Sequence, residues 1–182
     1  QVEIRELSEL FGEESNKMTN SPFDYLIGAD GSLKQAINQS KAAIMYPPNG
    51  LHTLILGETG VGKTLFANMM FNYAKFSKRF KDNAPFIVFN CADYGNNPQL
   101  LLSHIFGHIK GAFTGADTEK EGIVEKADGG ILFLDEIHRL SPEGQEMIFY
   151  FMDTGTYNKL GESDRKRRAN VLIIGATTEE PK

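Results

Sequence analysis

The run Gly57-Glu58-Thr59-Gly60-Val61-Gly62-Lys63-Thr64 restricts what this 182-residue chain can fold into more than any other segment. A short apolar stretch, Leu51 to Leu56, leads straight into it. After it, Phe66, Met69, Met70, Tyr73 and Phe76 recur at the spacing of an amphipathic helix. Glycines let the backbone curl so that successive N–H groups converge, and the following helix N-terminus adds partial positive charge. Gly-x-x-x-x-Gly-Lys-Thr between a strand and a helix is the spacing that cradles phosphates. Lys63 would bridge the β- and γ-phosphates of a nucleoside triphosphate, and the Thr64 hydroxyl would hold Mg2+. The loop therefore demands a strand–loop–helix unit, which builds a parallel sheet.

The rest of the chain supplies matching parts. Leu33, Ile37 and Ile44 share one helical face, and Pro47-Pro48 stops that helix. Phe86 to Phe89 reads as a second buried strand, Ile131 to Leu134 as a third, and Val171 to Ile174 as a fourth. Asn97-Pro98 and Ser141-Pro142 each open a helix with a capping side chain followed by proline; the second carries Met147, Ile148 and Phe151. Apolar strands alternating with helices predict an α/β sandwich whose parallel central sheet is covered on both faces. Residues 1–22 read as a peripheral segment. Val2, Ile4, Leu7, Leu10 and Phe11 would line a short acidic helix or belong to a loosely packed tail, with Gly12 to Pro22 as linker. The globular core is expected over residues 23–182.

Ligands of such sheets bind beyond the carboxyl ends of the strands. The glycine loop, Asn90, the pair Asp135-Glu136 and Thr177-Thr178 all fall at those ends. Asp135 follows four apolar residues, as suits a carboxylate that meets Mg2+, and Glu136 would polarise the attacking water. The same pair could instead cap the next helix. With 41% apolar residues and a net charge of −5, the chain can bury one α/β core and is a poor nucleic-acid grip. The single cysteine, Cys91, excludes an internal disulfide and fits a reducing cytoplasm. No apolar run approaches membrane-spanning length. His104 and His108 are four apart, but Gly107 breaks a helix between them, and His138 caps or packs rather than binding zinc.

A further motif lies between the glycine loop and the acidic pair: Phe106-Gly107-His108, then Gly111-Ala112-Phe113-Thr114-Gly115-Ala116. Glycines at both ends permit a sharp excursion with an apolar-plus-hydroxyl tip at Phe113 and Thr114. A packed domain has no need of an exposed phenylalanine there, and the alternative is a hairpin with Phe113 tucked into the core.

These motifs together resemble the AAA+ transcriptional activators that remodel the sigma-54 form of bacterial RNA polymerase. The resemblance spans Phe23 to Glu180. It implies a P-loop NTPase fold, ATP and Mg2+ as ligands, ATP hydrolysis, and a ring homo-oligomer, a hexamer, in the full protein. Phe113 and Thr114 would then contact the sigma factor, within a partner loop of Gly111, Ala112, Phe113, Thr114, Gly115 and Ala116. DNA would be bound only by domains elsewhere. Asn90 matches a polar residue that holds the catalytic glutamate, though it could equally be a strand-end turn residue. Thr178 stands at the γ-phosphate sensor, where the family usually has Asn, and Ile27 and Gly28 match the region that touches adenine. Thr154 to Arg168 resembles a second inserted hairpin that supports the first loop. Its Asp164-Arg165-Lys166-Arg167-Arg168 run would be a solvated hairpin edge, a patch facing a neighbouring subunit, or a DNA contact.

Thr64 departs from the glutamate that the family usually places after the loop lysine. Together with Gly175-Ala176-Thr177-Thr178-Glu179, it resembles the sugar-operon regulators of the levanase-regulator type. The family's arginine fingers and helical lid follow the fourth strand, so the chain reads as a truncated piece, weak in turnover and assembly by itself. Arg165, Arg167 and Arg168 precede that strand and are not fingers. Two other readings remain open: a nucleotide-switched regulatory module with negligible turnover, and an AAA+ remodeller of another protein.

Overall fold

The computed structural model describes residues 2–5, 33–57, 61–94 and 96–178. They fall into two units, one built from residues 1–84 with 174–182 and the other from residues 85–173.

In the first unit, helix α1 (Lys34–Met45) buries Ala36, Ile37, Ser40, Ala43 and Ile44, the one-sided pattern of an amphipathic helix. Ser40 satisfies its buried hydroxyl on the Ala36 carbonyl at 2.8 Å. The helix ends where Tyr46 turns extended ahead of Pro47. Its last carbonyls are taken by a side chain from elsewhere: the Arg79 guanidinium donates to the carbonyls of Ile44, Met45 and Pro48. Helix α2 (Val61–Phe76) packs against α1 and buries Phe66, Ala67, Met70, Tyr73 and Ala74, while Phe76 lies exposed.

The strands of this unit are β1 (Val2–Arg5), β2 (Thr53–Gly57) and the end of a last strand whose full span is Leu172–Thr177. β2 runs parallel to that last strand, Thr53 beside Ile174 and Leu56 beside Thr177. β1 lies antiparallel on β2, Val2 opposite Gly57 and Arg5 opposite Leu54. This corrects the helix expected at the start of the chain. Val2-Glu3-Ile4-Arg5 alternates apolar and polar residues, the period of a strand, and β2 offers these residues a backbone hydrogen-bonding edge. The remainder of the 1–22 expectation, including the linker, lies outside the described residues.

In the second unit, β3 (Phe86–Asn90) pairs parallel with a strand at Ile131–Asp135, in register from Phe86 beside Ile131 to Asn90 beside Asp135. The strand at 131–135 is buried through Leu134, as expected. β3 is an edge strand with no fully buried residue and Val88 51% exposed, which corrects the expectation of a buried second strand; Ile87 and Phe89 pack only partly buried against the core. Gly130 permits the two to meet: a Cβ there would stand 1.9 Å from the Pro85 carbonyl oxygen, which accepts the Ile131 N–H at 3.0 Å.

Helix α3 (Pro98–Phe106) starts as the sequence implies, with Asn97 Oδ1 accepting the Leu100 N–H at 3.1 Å and proline in the first turn. It stops at Gly107, whose φ of +82° and crowding by the Lys120 carbonyl exclude a side chain. Short strands β4 (Gly107–His108) and β5 (Lys120–Glu121) pair antiparallel at the base of the intervening loop. One helical turn, α4 (Ile123–Lys126), then leads to β6, the Ile131–Asp135 strand. Helix α5 (Pro142–Thr154) is capped by the Ser141 hydroxyl and closed by left-handed Gly155. The hairpin β7 (Thr156–Tyr157) and β8 (Arg167–Arg168) follows, then β9, the Leu172–Thr177 strand. Leu101, Ile105, Phe106, Leu132 and Phe151 lie in the core of this unit. Among the described residues no helix is long and apolar enough to cross a membrane.

Candidate functional site

Gly57 ends β2 and Val61 opens α2, so a strand and a helix flank the glycine run as its spacing requires. Lys63 and Thr64 sit in the first turn of α2. Lys63 is only 3% exposed, and its ammonium donates to the Gly57 carbonyl at 3.0 Å. A buried cation at a helix N-terminus stands where two positive contributions add, which is the chemistry an anionic group would use. Thr64 is half-buried beside it, and Gly62 is exposed with open space where a Cβ would stand. Glu58, Thr59, Gly60, Ile27 and Gly28 lie outside the described residues. Thr178 lies exposed immediately after β9.

At the end of β6, Asp135 Oδ1 accepts the Glu136 N–H at 2.9 Å. Glu136 itself adopts the left-handed conformation, φ 53° and ψ 43°. For a non-glycine residue that backbone costs on the order of 1–2 kcal/mol, and such strain collects at functional sites. A short 3-10 turn (Ile137–Arg139) follows, and the Arg139 N–H returns to the Glu136 carbonyl at 2.9 Å. His138 Nε2 stands 3.1 Å from Glu136 Oε2. Asn90 closes a different turn: its Oδ1 accepts the Ala92 N–H at 2.9 Å, starting the 3-10 helix Cys91–Tyr94. Both the turn role and the strand-end position expected of Asn90 are present, since it pairs in register with Asp135. The neighbouring Cys91 is buried, and burial, reinforced by the charges of Asp135, Glu136 and Asp93, pushes its thiol up to about 12.

The 111–116 loop is closed at its neck by the Gly111 N–H donating to the Ala116 carbonyl at 2.8 Å. Gly111 and Gly115 have φ of +81° and +96° with open space around both, so they are required by backbone conformation rather than by crowding. Thr114 is exposed at the tip. Phe113 is half-buried instead of fully exposed, its ring meeting His108 edge-on with centroids 5.0 Å apart. His108 is fixed in turn by Ser103, whose hydroxyl lies 2.6 Å from Nδ1. His104 is engaged elsewhere, with Nδ1 3.0 Å from the Lys120 ammonium. The two histidines are thus separately committed.

The hairpin after α5 grips the base of this loop. The Ile109 N–H donates to the Leu160 carbonyl at 3.1 Å, and the Leu160 N–H to the Gly107 carbonyl at 3.0 Å. Gly161 lies so close to Ala112 that a Cβ would approach the alanine methyl to 2.9 Å. Lys159, 5% exposed overall, reaches Glu119 Oε1 at 3.0 Å. Arg167 forks onto Glu162 at 2.9 and 3.0 Å. That hydrogen bonding holds the Glu162 carboxyl below its usual range, against the opposing effect of desolvation. Arg167 and Lys159 of the hairpin are therefore paired within it and with the loop; Arg165 and Arg168 remain exposed. Sequence reasoning missed Glu119, Lys159 and the Glu136–His138 contact. Only the last left a signal, a histidine two residues beyond the carboxylate.

Comparison with known proteins gives the family of the chain. The sigma-54 interaction domain family matches residues 26–182. The chain is 60% identical over 183 residues to the transcriptional regulatory protein LevR of Bacillus subtilis, covering 99% of this chain and 20% of that protein. It is 48% identical over 177 residues to the transcriptional regulatory protein DagR of Salmonella typhimurium, covering 97% and 19%. The chain thus spans about a fifth of the length of these curated relatives. Among solved structures, NtrX from Brucella abortus in complex with ADP superposes with a TM-score of 0.63 at 26% identity, covering 87% of this chain and 32% of that one.

Proposed function

The chain belongs to the sigma-54 interaction domain family, with the AAA+ P-loop α/β fold, and from that premise we propose that it is the ATP-hydrolysing core of a regulator that remodels sigma-54 RNA polymerase. The observation that carries the reading is the closed 111–116 loop, with Thr114 exposed at its tip and its base tied to a second hairpin. A rigidly rooted loop with a small exposed tip suits a lever pressed against another protein better than it suits a packing element.

The residues present fit ATP and Mg2+. The buried Lys63 ammonium would exchange its carbonyl partner for phosphate oxygens, with Gly57 to Thr64 supplying backbone donors. Thr64 and Asp135 would each supply an oxygen ligand of the kind a hard cation takes. Bound Mg2+ would neutralise charge on the phosphates. Glu136 would orient the attacking water and draw its proton. Asn90 and Thr178 would act as the coupling and sensing groups of the family, and Ile27 and Gly28 would meet the base. NtrX, captured with ADP, supports a nucleotide ligand for the shared fold. The full protein would form a homo-oligomeric ring, a hexamer, in the cytoplasm and bind DNA through other domains.

Glu136→Gln tests the enzymatic part of this reading. It keeps size and hydrogen bonding but removes the base, so ATP affinity should persist while turnover falls by roughly 10²–10⁴. Unchanged turnover would instead favour a nucleotide-switched binding module.

A further inference from the structure

Phe113 is the one large apolar side chain of the 111–116 loop, and it rests on a residue held more firmly than the loop itself. His108 belongs to β4, whose backbone pairs with Lys120 of β5 and also bridges Leu160 of the hairpin after α5. Its side chain is 9% exposed, and Nδ1 lies 2.6 Å from the hydroxyl of Ser103, which is buried in α3. Main chain and ring are therefore both tied to neighbouring elements. The Phe113 ring meets this imidazole with centroids 5.0 Å apart and planes at 73°, the tilted arrangement that aromatic quadrupoles favour. On the loop side the ties are fewer. Gly111 and Gly115 bracket Phe113 with positive φ and open space around both. The backbone bonds inside the loop, from the Ala112 N–H to the Ile109 carbonyl and from the Ala116 N–H to the Phe113 carbonyl, do not hold the Phe113 side chain.

Thr114 is exposed as it stands, whereas Phe113 is half-buried. A partner protein that enclosed the Phe113 ring would have to take the place of the imidazole. We infer that His108 is a positioning residue for partner engagement: it seats the Phe113 ring against the domain, and the loop grips sigma-54 through Phe113 only once the ring has left that seat. This rests on the reading of 111–116 as the loop that contacts sigma-54. An aromatic pair of this kind shifts an equilibrium roughly two- to twelvefold. That is too little to anchor the whole loop. Where seated and released positions are otherwise balanced, it keeps the ring down in most molecules. Affinity for the partner is then lowered by the fraction of molecules whose ring is released.

The test compares full-length wild-type protein with His108→Ala and His108→Phe. Titration of labelled sigma-54 gives affinity with and without an ATP transition-state analogue, hydrogen exchange follows the 111–116 amides, and the thermal midpoint reports folding. Without the analogue, His108→Ala should bind sigma-54 roughly two- to twelvefold more tightly than wild type, the worth of the lost ring contact. Its loop amides should also exchange faster. With the analogue the two proteins should agree within about twofold, because the ring is then already released. His108→Phe keeps a ring at the seat and should behave as wild type, a rescue that general loosening of the fold does not give. No gain in binding for His108→Ala, whatever its thermal midpoint, would overturn the inference, as would an equal gain in His108→Phe. Failure of the wild-type protein to bind sigma-54 even with the analogue would instead overturn the reading of the loop, and this inference with it.

Discussion

Replacing Arg167 with alanine should unlock the hairpin that supports the 111–116 loop. The guanidinium makes two parallel hydrogen bonds to Glu162, at 2.9 and 3.0 Å, and a longer one of 3.4 Å to Glu119. The Arg167 and Glu162 side chains are 14% and 9% exposed, so truncation strands a carboxylate with little water to replace its partner. Breaking a fully buried pair costs about 3–5 kcal/mol. Here the Lys159 N–H still donates to Glu162 Oε1 at 2.9 Å and the site is not fully dry, which brings the expected loss to about 2–3 kcal/mol. For a protein of this size that is a fall in thermal midpoint of roughly 5–10 °C. The effect should depend on pH. Arg167 hydrogen bonding lowers the Glu162 pKa in the folded state, so its stabilisation is fully present above the unfolded carboxylate range and is lost as pH falls through the folded value. The gap between wild type and Arg167→Ala should therefore narrow in acid. Thermal and urea unfolding at pH 7 and in acid, with Glu162→Gln completing a double-mutant cycle, measure this directly. A midpoint within about 1 °C of wild type at pH 7 would refute the ledger of a desolvated, bidentate pair.

Gly161→Ala should displace the loop without touching it chemically. Its φ of +86° disfavours a side chain, and the new methyl would meet Ala112 at 2.9 Å and Ile109 at 3.0 Å; a destabilisation of about 1–3 kcal/mol and faster amide exchange over 109–116 are expected, and unchanged exchange would refute the contact. Cys91 should react slowly with thiol reagents near neutral pH until the protein unfolds, since burial holds its thiol near 12. Because that folded pKa is raised, its contribution to stability is present below the unfolded thiol range and declines as pH rises towards 12. Rapid labelling of the folded protein at pH 7.5 (roughly one unit below a free thiol) would contradict that burial.

What could be read from the sequence was what short-range chemistry decides. The caps at Asn97 and Ser141 each depend on the residue three positions on, and the glycine run depends on a strand and helix directly beside it. The acidic pair at the end of β6 followed from four apolar residues before it. What escaped depends on distant partners. Val2 to Arg5 offered both a helical stripe and a strand alternation, and the edge of β2, some fifty residues on, decided between them. For Phe113 the sequence leaves two readings, an exposed tip or a hairpin tucked into the core; the ring lies between them, half-buried and edge-on to His108. Glu119 and Lys159 lie 40 residues apart, and no spacing rule joins them. His138 was legible as a residue but not as a partner, because the left-handed turn at Glu136 has no signature in a non-glycine residue.

Engagement of sigma-54 by the 111–116 loop under the control of ATP is the core of the proposed function. The most direct measurement mixes the full-length protein with purified sigma-54 and an ATP transition-state analogue, and follows complex formation by gel filtration, with Thr114→Ala alongside. Thr114 is exposed at the loop tip, so its truncation should leave folding and nucleotide affinity intact. A stable complex is expected with the wild-type protein and none with Thr114→Ala. Tight Mg-ATP binding with no sigma-54 complex, or a complex indifferent to Thr114, would contradict it.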